Sequence, residues 1–169
     1  MTSGVLRRGG CLAALVLLAS GVLLVLTHSL RDGGRRLPPL DEARFTAARQ
    51  RWEGSGPADY DIEIVVRGAQ SATYRATVRA GEVQSLSRNE HPLSQRRTMG
   101  TWSVEGMFDT IQTDLDAIAR GGAAPSLDLR AEFHPKYGYP MRYQRVERRR
   151  WGANPDVSWE VTHFEGYRL

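Results

Sequence analysis

Between Trp52 and Tyr60 the apolar residues change their period, and that change decides the fold class. Before it, Phe45, Ala48 and Trp52 recur at helical spacing behind Asp41, a residue type that caps helix N-termini, until Gly54-Ser55-Gly56-Pro57 stops the pattern. After it, Tyr60, Ile62, Ile64 and Val66 alternate with Asp59, Asp61 and Glu63, the signature of a half-buried strand. Tyr74, Ala76 and Val78 alternate in the same way, and a tight turn at Ala80-Gly81 leads into a third strand from Val83 to Leu86, giving an antiparallel meander. The polar segment from Ser87 to Gly100 reads as a loop.

Ser103 then starts a second helix, in which Val104, Met107, Phe108, Ile111, Leu115 and Ile118 make one apolar stripe that runs to about Arg120. Three more strands follow: Leu127 to Phe133, a fifth from about Met141, and a sixth carrying Val157, Trp159 and Val161. The expected architecture is α+β, in the order α-βββ-α-βββ. A single antiparallel sheet of about six strands carries both helices on one face.

The start of the chain follows different rules. Arg7 and Arg8 precede an unbroken apolar run, Cys11 to Leu26, which extended to Leu30 has about the length a helix needs to cross roughly 30 Å of hydrocarbon. Residues 1–10 then form a basic N-terminal segment, 11–30 a transmembrane signal anchor, 31–39 a Gly/Pro/Arg linker and 40–169 one domain. Arg7 and Arg8 on one side and Arg35 and Arg36 on the other flank the membrane. The basic start favours an inside N-terminus and a domain outside the cytoplasmic (inner) membrane, with the bilayer as a partner. The alternative is removal of the run as a signal peptide, most plausibly at Ala19-Ser20-Gly21, which releases a periplasmic or secreted domain. Cys11 precedes the run instead of following it, which argues against a lipoprotein anchor.

Charge location excludes a nucleic-acid binder. The net charge is +4, and the first 39 residues hold five arginines against Asp32 alone, so the domain itself balances to zero. A protein that grips phosphate backbones carries its basic field on the folded domain. Cys11 is the only cysteine, so the domain contains neither a disulfide nor a thiol nucleophile.

The motifs in their order resemble a known family. Trp52 ends a helix, Asp59-Tyr60-Asp61 opens a strand, and Gly81-Glu82-Val83 lies in a hairpin. Ser103-Val104-Glu105-Gly106-Met107-Phe108 opens a helix, Tyr137-Gly138-Tyr139-Pro140 joins two strands, and Trp159-Glu160-Val161-Thr162-His163-Phe164 follows near the end. Over residues 45–165 this series is similar to domain of unknown function 6174, a family of small uncharacterised bacterial envelope proteins, many lipoprotein-like. The resemblance implies placement and fold, and no activity. Many members carry paired cysteines near the first hairpin; this chain has Arg67-Gly68-Ala69-Gln70 there, so no disulfide or redox role carries over.

Candidate site residues are few. Tyr137, Gly138, Tyr139 and Pro140, with His134 beside them, offer an aromatic ledge for a peptide, glycan or protein; the same residues equally serve as a turn whose rings cap the core. His134, His163 and Glu132 would suit zinc only if the fourth and sixth strands were neighbours, and surface histidines are the plainer reading. Asp59, Asp61 and Glu63 share a strand face, as a cation site or as an ordinary solvated face. Arg148-Arg149-Arg150 before Trp151 is a basic-aromatic run suited to phosphates or headgroups, or to discouraging edge pairing. No nucleophile elbow, phosphate loop or dinucleotide fingerprint occurs. No cofactor or metal is implied. The expected function is a non-enzymatic binding or structural module with an envelope protein or cell-wall partner; the alternative is a carrier or enzyme with a site at the Tyr137-to-Pro140 turn.

Overall fold

Asp41 begins the first helix as its type predicts. Its carboxylate accepts a hydrogen bond from the Arg44 backbone N–H at 2.8 Å, and the helix, α1, runs Glu42–Ser55. In the computed structural model, residues 37–94, 99–121, 126–153 and 155–167 are described. The expected span at 11–30, with Arg7, Arg8, Arg35 and Arg36, lies outside them. Among the described residues no helix is long and apolar enough to cross a membrane.

Among the described residues seven strands form one antiparallel sheet: β1 (Asp59–Arg67), β2 (Ala72–Arg79), β3 (Glu82–Arg88), β4 (His91–Pro92), β5 (Ser126–Phe133), β6 (Pro140–Arg148) and β7 (Asp156–Tyr167). A second helix, α2 (Val104–Arg120), connects the two meanders after a 3-10 turn at Gly100–Trp102. The spatial order β4-β3-β2-β1-β7-β6-β5 puts the last strand beside the first, so β1 and β7 close the sheet at its centre. The single antiparallel sheet agrees with the expected one of about six strands, with one short strand added. The extra strand, β4, is a two-residue pairing of Ser87 with Pro92 and Arg88 with His91, too short to show any alternation within the segment read as a loop.

Both helices bury their stripes against one face. Phe45, Ala48 and Trp52 from α1 and Val104, Met107, Phe108, Ile111 and Leu115 from α2 join Tyr60, Ile62, Ile64, Val78, Leu129 and Tyr143 of the sheet in a single core. Each fully buried side chain of this size contributes about 1.5–3 kcal/mol. Ile118 departs from the expected stripe: it is 47% exposed on the last turn of α2.

The domain reaches three residues into the expected linker. Leu37 to Leu40 lie along the outer edge of β5: Ala131 N–H donates to Pro38 O at 3.2 Å, Leu40 N–H to Leu129 O at 2.9 Å, and the Arg130 guanidinium to Leu37 O at 2.9 Å. The compact unit accordingly begins at Leu37. This strap covers a strand edge that would otherwise be open to pairing with other chains.

One glycine is fixed by close approach. Gly138, at φ 85°, lies against α1 so closely that a Cβ would collide with the Ala48 carbonyl oxygen and come 3.0 Å from Trp52 N. Gly138→Ala is therefore expected to destabilise the domain by on the order of 2–4 kcal/mol. Thermal unfolding checks this; a transition unchanged from wild type would contradict the packing described.

Candidate functional site

The Tyr137-to-Pro140 turn is held from inside. Gly138 N–H donates to His134 O and His134 N–H to Tyr139 O, both at 2.8 Å. The His134 Nδ1 accepts from the backbone N–H of Tyr137 at 3.1 Å. Burial, aided by the Lys136 charge, lowers the pKa of His134, so its ring is neutral at pH 7 and Nδ1 is free to accept. That ring stacks on Tyr137 at 5.2 Å and on Tyr139 at 4.8 Å. Tyr139 stacks in turn on Phe164 at 4.3 Å and meets the edge of Trp52.

Tyr139 is 7% exposed, and Gly138 and Pro140 are buried with it. Tyr137, half-buried with Lys136 Nζ 4.8 Å over its ring, and His134, half-buried beneath it, offer only part of a face to water. The rings thus cap the core between α1 and β7 and present no open ledge. This removes the motive for a catalytic or carrier site at the turn.

The structure gathers its convergent polar groups at the Trp52 indole N–H instead. Glu105, in the first turn of α2, accepts from Trp52 Nε1 at 3.1 Å through one oxygen and from the Tyr60 hydroxyl at 2.9 Å through the other. The same hydroxyl accepts from the Val104 backbone N–H at 3.0 Å, while Ser103 Oγ accepts from Gly106 N–H at 3.1 Å. One carboxylate thereby ties α1, β1 and the start of α2 together. Burial, reinforced by the Glu105 charge, raises the Tyr60 pKa far above its ordinary range, so the phenol stays a donor.

Around Glu105 runs a shallow trough of three adjoining recesses. The first, about 460 Å³, lies over the start of α2 between Gly100, Gly106 and Asp109. It meets the second, about 330 Å³, at Glu105, where Trp52, Pro57 and Phe108 form part of the wall. The second shares Gly56, Pro57 and Ala58 with a third of about 700 Å³, which continues past Arg79 to Tyr167. Gly56 is required here because a Cβ would come 2.6 Å from the Trp52 ring.

The other sheet face is a lattice of ion pairs. Asp61 and Glu63 do not form a cation site with Asp59. Arg79 Nη1 donates to Asp61 at 3.0 Å, Arg75 Nε to Glu63 at 2.6 Å, and Asp59 accepts from Ala80 N–H at 2.6 Å. The zinc arrangement fails for a topological reason: β6 separates β5 from β7, so Glu132 and His163 are not on neighbouring strands. His134 faces the turn, Glu132 lies 3.8 Å from Arg142, and His163 is exposed near Glu165. Among the described residues no group of three His, Cys, Asp or Glu could hold a metal.

Among the described residues two buried donors have no partner, Arg88 Nε and Trp159 Nε1. Residue types alone do not mark either donor as unpaired, and Glu105, although it falls in the Ser103-to-Phe108 motif, has partners 45 and 53 residues away that no local pattern reveals. The one available hint was an acidic residue two places after an N-cap serine, which is ordinary helix chemistry.

A profile of a family of unknown function, DUF6174, matches residues 44–165. Comparison with curated proteins and with solved structures finds no match.

The ion-pair lattice predicts a specific acid response. Burial pushes Asp61 up, but hydrogen bonds from Arg79, Tyr167 and Thr77 outweigh it and hold the carboxyl below its ordinary 3.8. Thr162 and Arg75 hold Glu63 below its ordinary 4.5. Because the folded values are depressed, the stability these groups contribute is fully present above those ordinary values and is lost as pH falls through the folded ones. The double variant Asp61→Asn, Glu63→Gln is expected to lose less thermal stability than wild type between neutral pH and about pH 2. Equal losses would contradict the assignment.

Proposed function

The chain belongs to the DUF6174 family of unknown function, and we propose that it is a membrane-tethered, non-enzymatic binding module of the bacterial cell envelope, facing outside the cytoplasm. Its binding surface is the trough that passes Glu105, and its ligand is an extended segment of a protein partner. The observation that carries this reading is the continuity of the three recesses. The first and second share Glu105 as a wall residue, the second and third share Gly56, Pro57 and Ala58, and all three are open to solvent instead of forming one enclosed pocket. Small-molecule sites are concave and bury most of their ligand. A track with open sides suits a chain that lies along it.

The chemistry of the walls fits the same occupant. Pro57, Ala58 and Phe108 give apolar contact, while Arg49, Glu105 and Asp109 give polar contact along the same line. The Glu105 carboxylate is pre-positioned by Trp52 and Tyr60, so it needs no rearrangement to receive a donor from a bound chain. Support for the tether comes from the basic-flanked apolar run at residues 11–30.

Ala58 is exposed on the track and is the place to test it. A photo-crosslinking residue at position 58 of the full chain, expressed in its own cells, is expected to give a discrete protein adduct. Ala58→Arg, which fills the track with a long charged side chain, is expected to abolish the adduct formed from a neighbouring probe at Thr110. Background labelling at position 58 would overturn the trough as the binding surface.

A further inference from the structure

The loop that joins β6 to β7 carries a run the trough does not use. Trp151 is 82% exposed, whereas Trp52 is 7% and Trp159 5% exposed and Trp102 is half-buried. An indole of this size left in water is unusual, and this one sits beside Gly152, whose φ of 88° turns the chain at that point. Arg148, Arg149 and Arg150 precede it, all exposed.

The charges around the loop are layered. Arg148 Nη2 pairs with Asp128 at 2.8 Å and Arg149 Nε with Glu147 at 2.9 Å. The guanidinium side chains are 59% and 50% exposed, the carboxylate side chains only 21% and 18%. The acids therefore lie beneath and the cations above. Asp156, the next acid along the chain, accepts from Gln144 at 3.0 Å. Arg150 forms no ion pair among the described residues. A guanidinium has five N–H donors, so the bond of Arg148 to Asp128 leaves others for phosphate oxygens.

We propose that this loop is a second membrane contact, in which Trp151 enters the interfacial layer of an anionic bilayer and Arg148 to Arg150 lie against its headgroup phosphates. Tryptophan favours that layer because its ring is apolar and its N–H polar. Arginines beside it gain from the negative surface potential. The occupant is a bilayer because residues 148–155 carry three arginines and no acid, the exposed Asp156 lying at the base of the loop and bonded to Gln144, and because the apolar run at 11–30 keeps the chain beside a membrane; in this respect the inference rests on the tether reading. A contact of one ring and three arginines is weak alone, but a tether raises its effective concentration.

The test uses the full chain reconstituted into vesicles of brominated phosphatidylcholine, pure or in equimolar mixture with phosphatidylglycerol. The four tryptophans all lie in the domain, so bromine quenching reports the domain and not the tether. The mixed vesicles are expected to quench tryptophan emission and the pure ones much less. Trp151→Ala, exposed enough to leave the fold intact, loses most of that quenching, and Arg150→Gln loses part of it. Equal quenching in wild type and Trp151→Ala, in a chain that floats with the vesicles, would overturn the loop contact alone. A chain that does not float with either vesicle would overturn the tether, and the loop contact with it.

Discussion

The carboxylate of Glu105 is the joint on which this domain depends. It receives the Trp52 indole from α1 and the Tyr60 hydroxyl from β1 while its own backbone starts α2. Without it, two donors of largely buried side chains would face each other with no acceptor, at about 1–3 kcal/mol each. Trp52 also sets the packing around it. Its ring meets Tyr60, Tyr139 and Phe164 edge-on, which brings the β5–β6 turn and the central strand β7 onto the same helix. A second carboxylate repeats the device further along α2: Asp114 accepts from the Tyr143 hydroxyl at 2.7 Å and from Arg145 at 3.0 Å. Helix α2 is thus stitched to both halves of the sheet, by a tyrosine from β1 and a tyrosine from β6.

The same joint shapes the surface. The trough exists where α1 ends, α2 begins and the β2–β3 hairpin turns, and Glu105 lines two of its three recesses. A residue that holds the core together therefore also faces the proposed ligand. By contrast, the aromatic residues that stand out in the sequence are used up internally. His134 and Tyr139 stack in a row that ends on Phe164, and their polar atoms serve the turn or face inward. Trp151, 82% exposed, and Tyr167, 39% exposed, are the exceptions, and Tyr167 is held by Asp61 and Arg79.

Much of the fold was legible because it rests on local rules. Asp41 and Ser103 mark helix starts through short side-chain bonds to nearby backbone, and the alternation in β1 marks a strand with one dry face. Two elements escaped for opposite reasons. β4 is too brief to carry a pattern. The Leu37-to-Leu40 strap carries the wrong one, since Pro38-Pro39 reads as a linker although the Leu37 and Pro38 carbonyls and the Leu40 N–H bond to β5. The candidate turn was found by its residue types, but those types suit an internal cap as well as a ledge, and only the stacking on α1 and β7 decides between them. Trp52, Tyr60 and Glu105 all stand in the motifs of the sequence, but their joint was not legible because the partners are distant in sequence and the position of Glu105 is typical of any helix start.

The most direct test of the joint is a double-mutant cycle on Glu105 and Tyr60. The cost of Tyr60→Phe is measured by chemical denaturation in the wild-type chain and again in a Glu105→Ala background. If the hydroxyl acts through the carboxylate, its loss costs less in the second background, by about 1 kcal/mol or more. Equal costs in both would show that the two groups act independently, and would contradict the account of the fold as built around their shared bond.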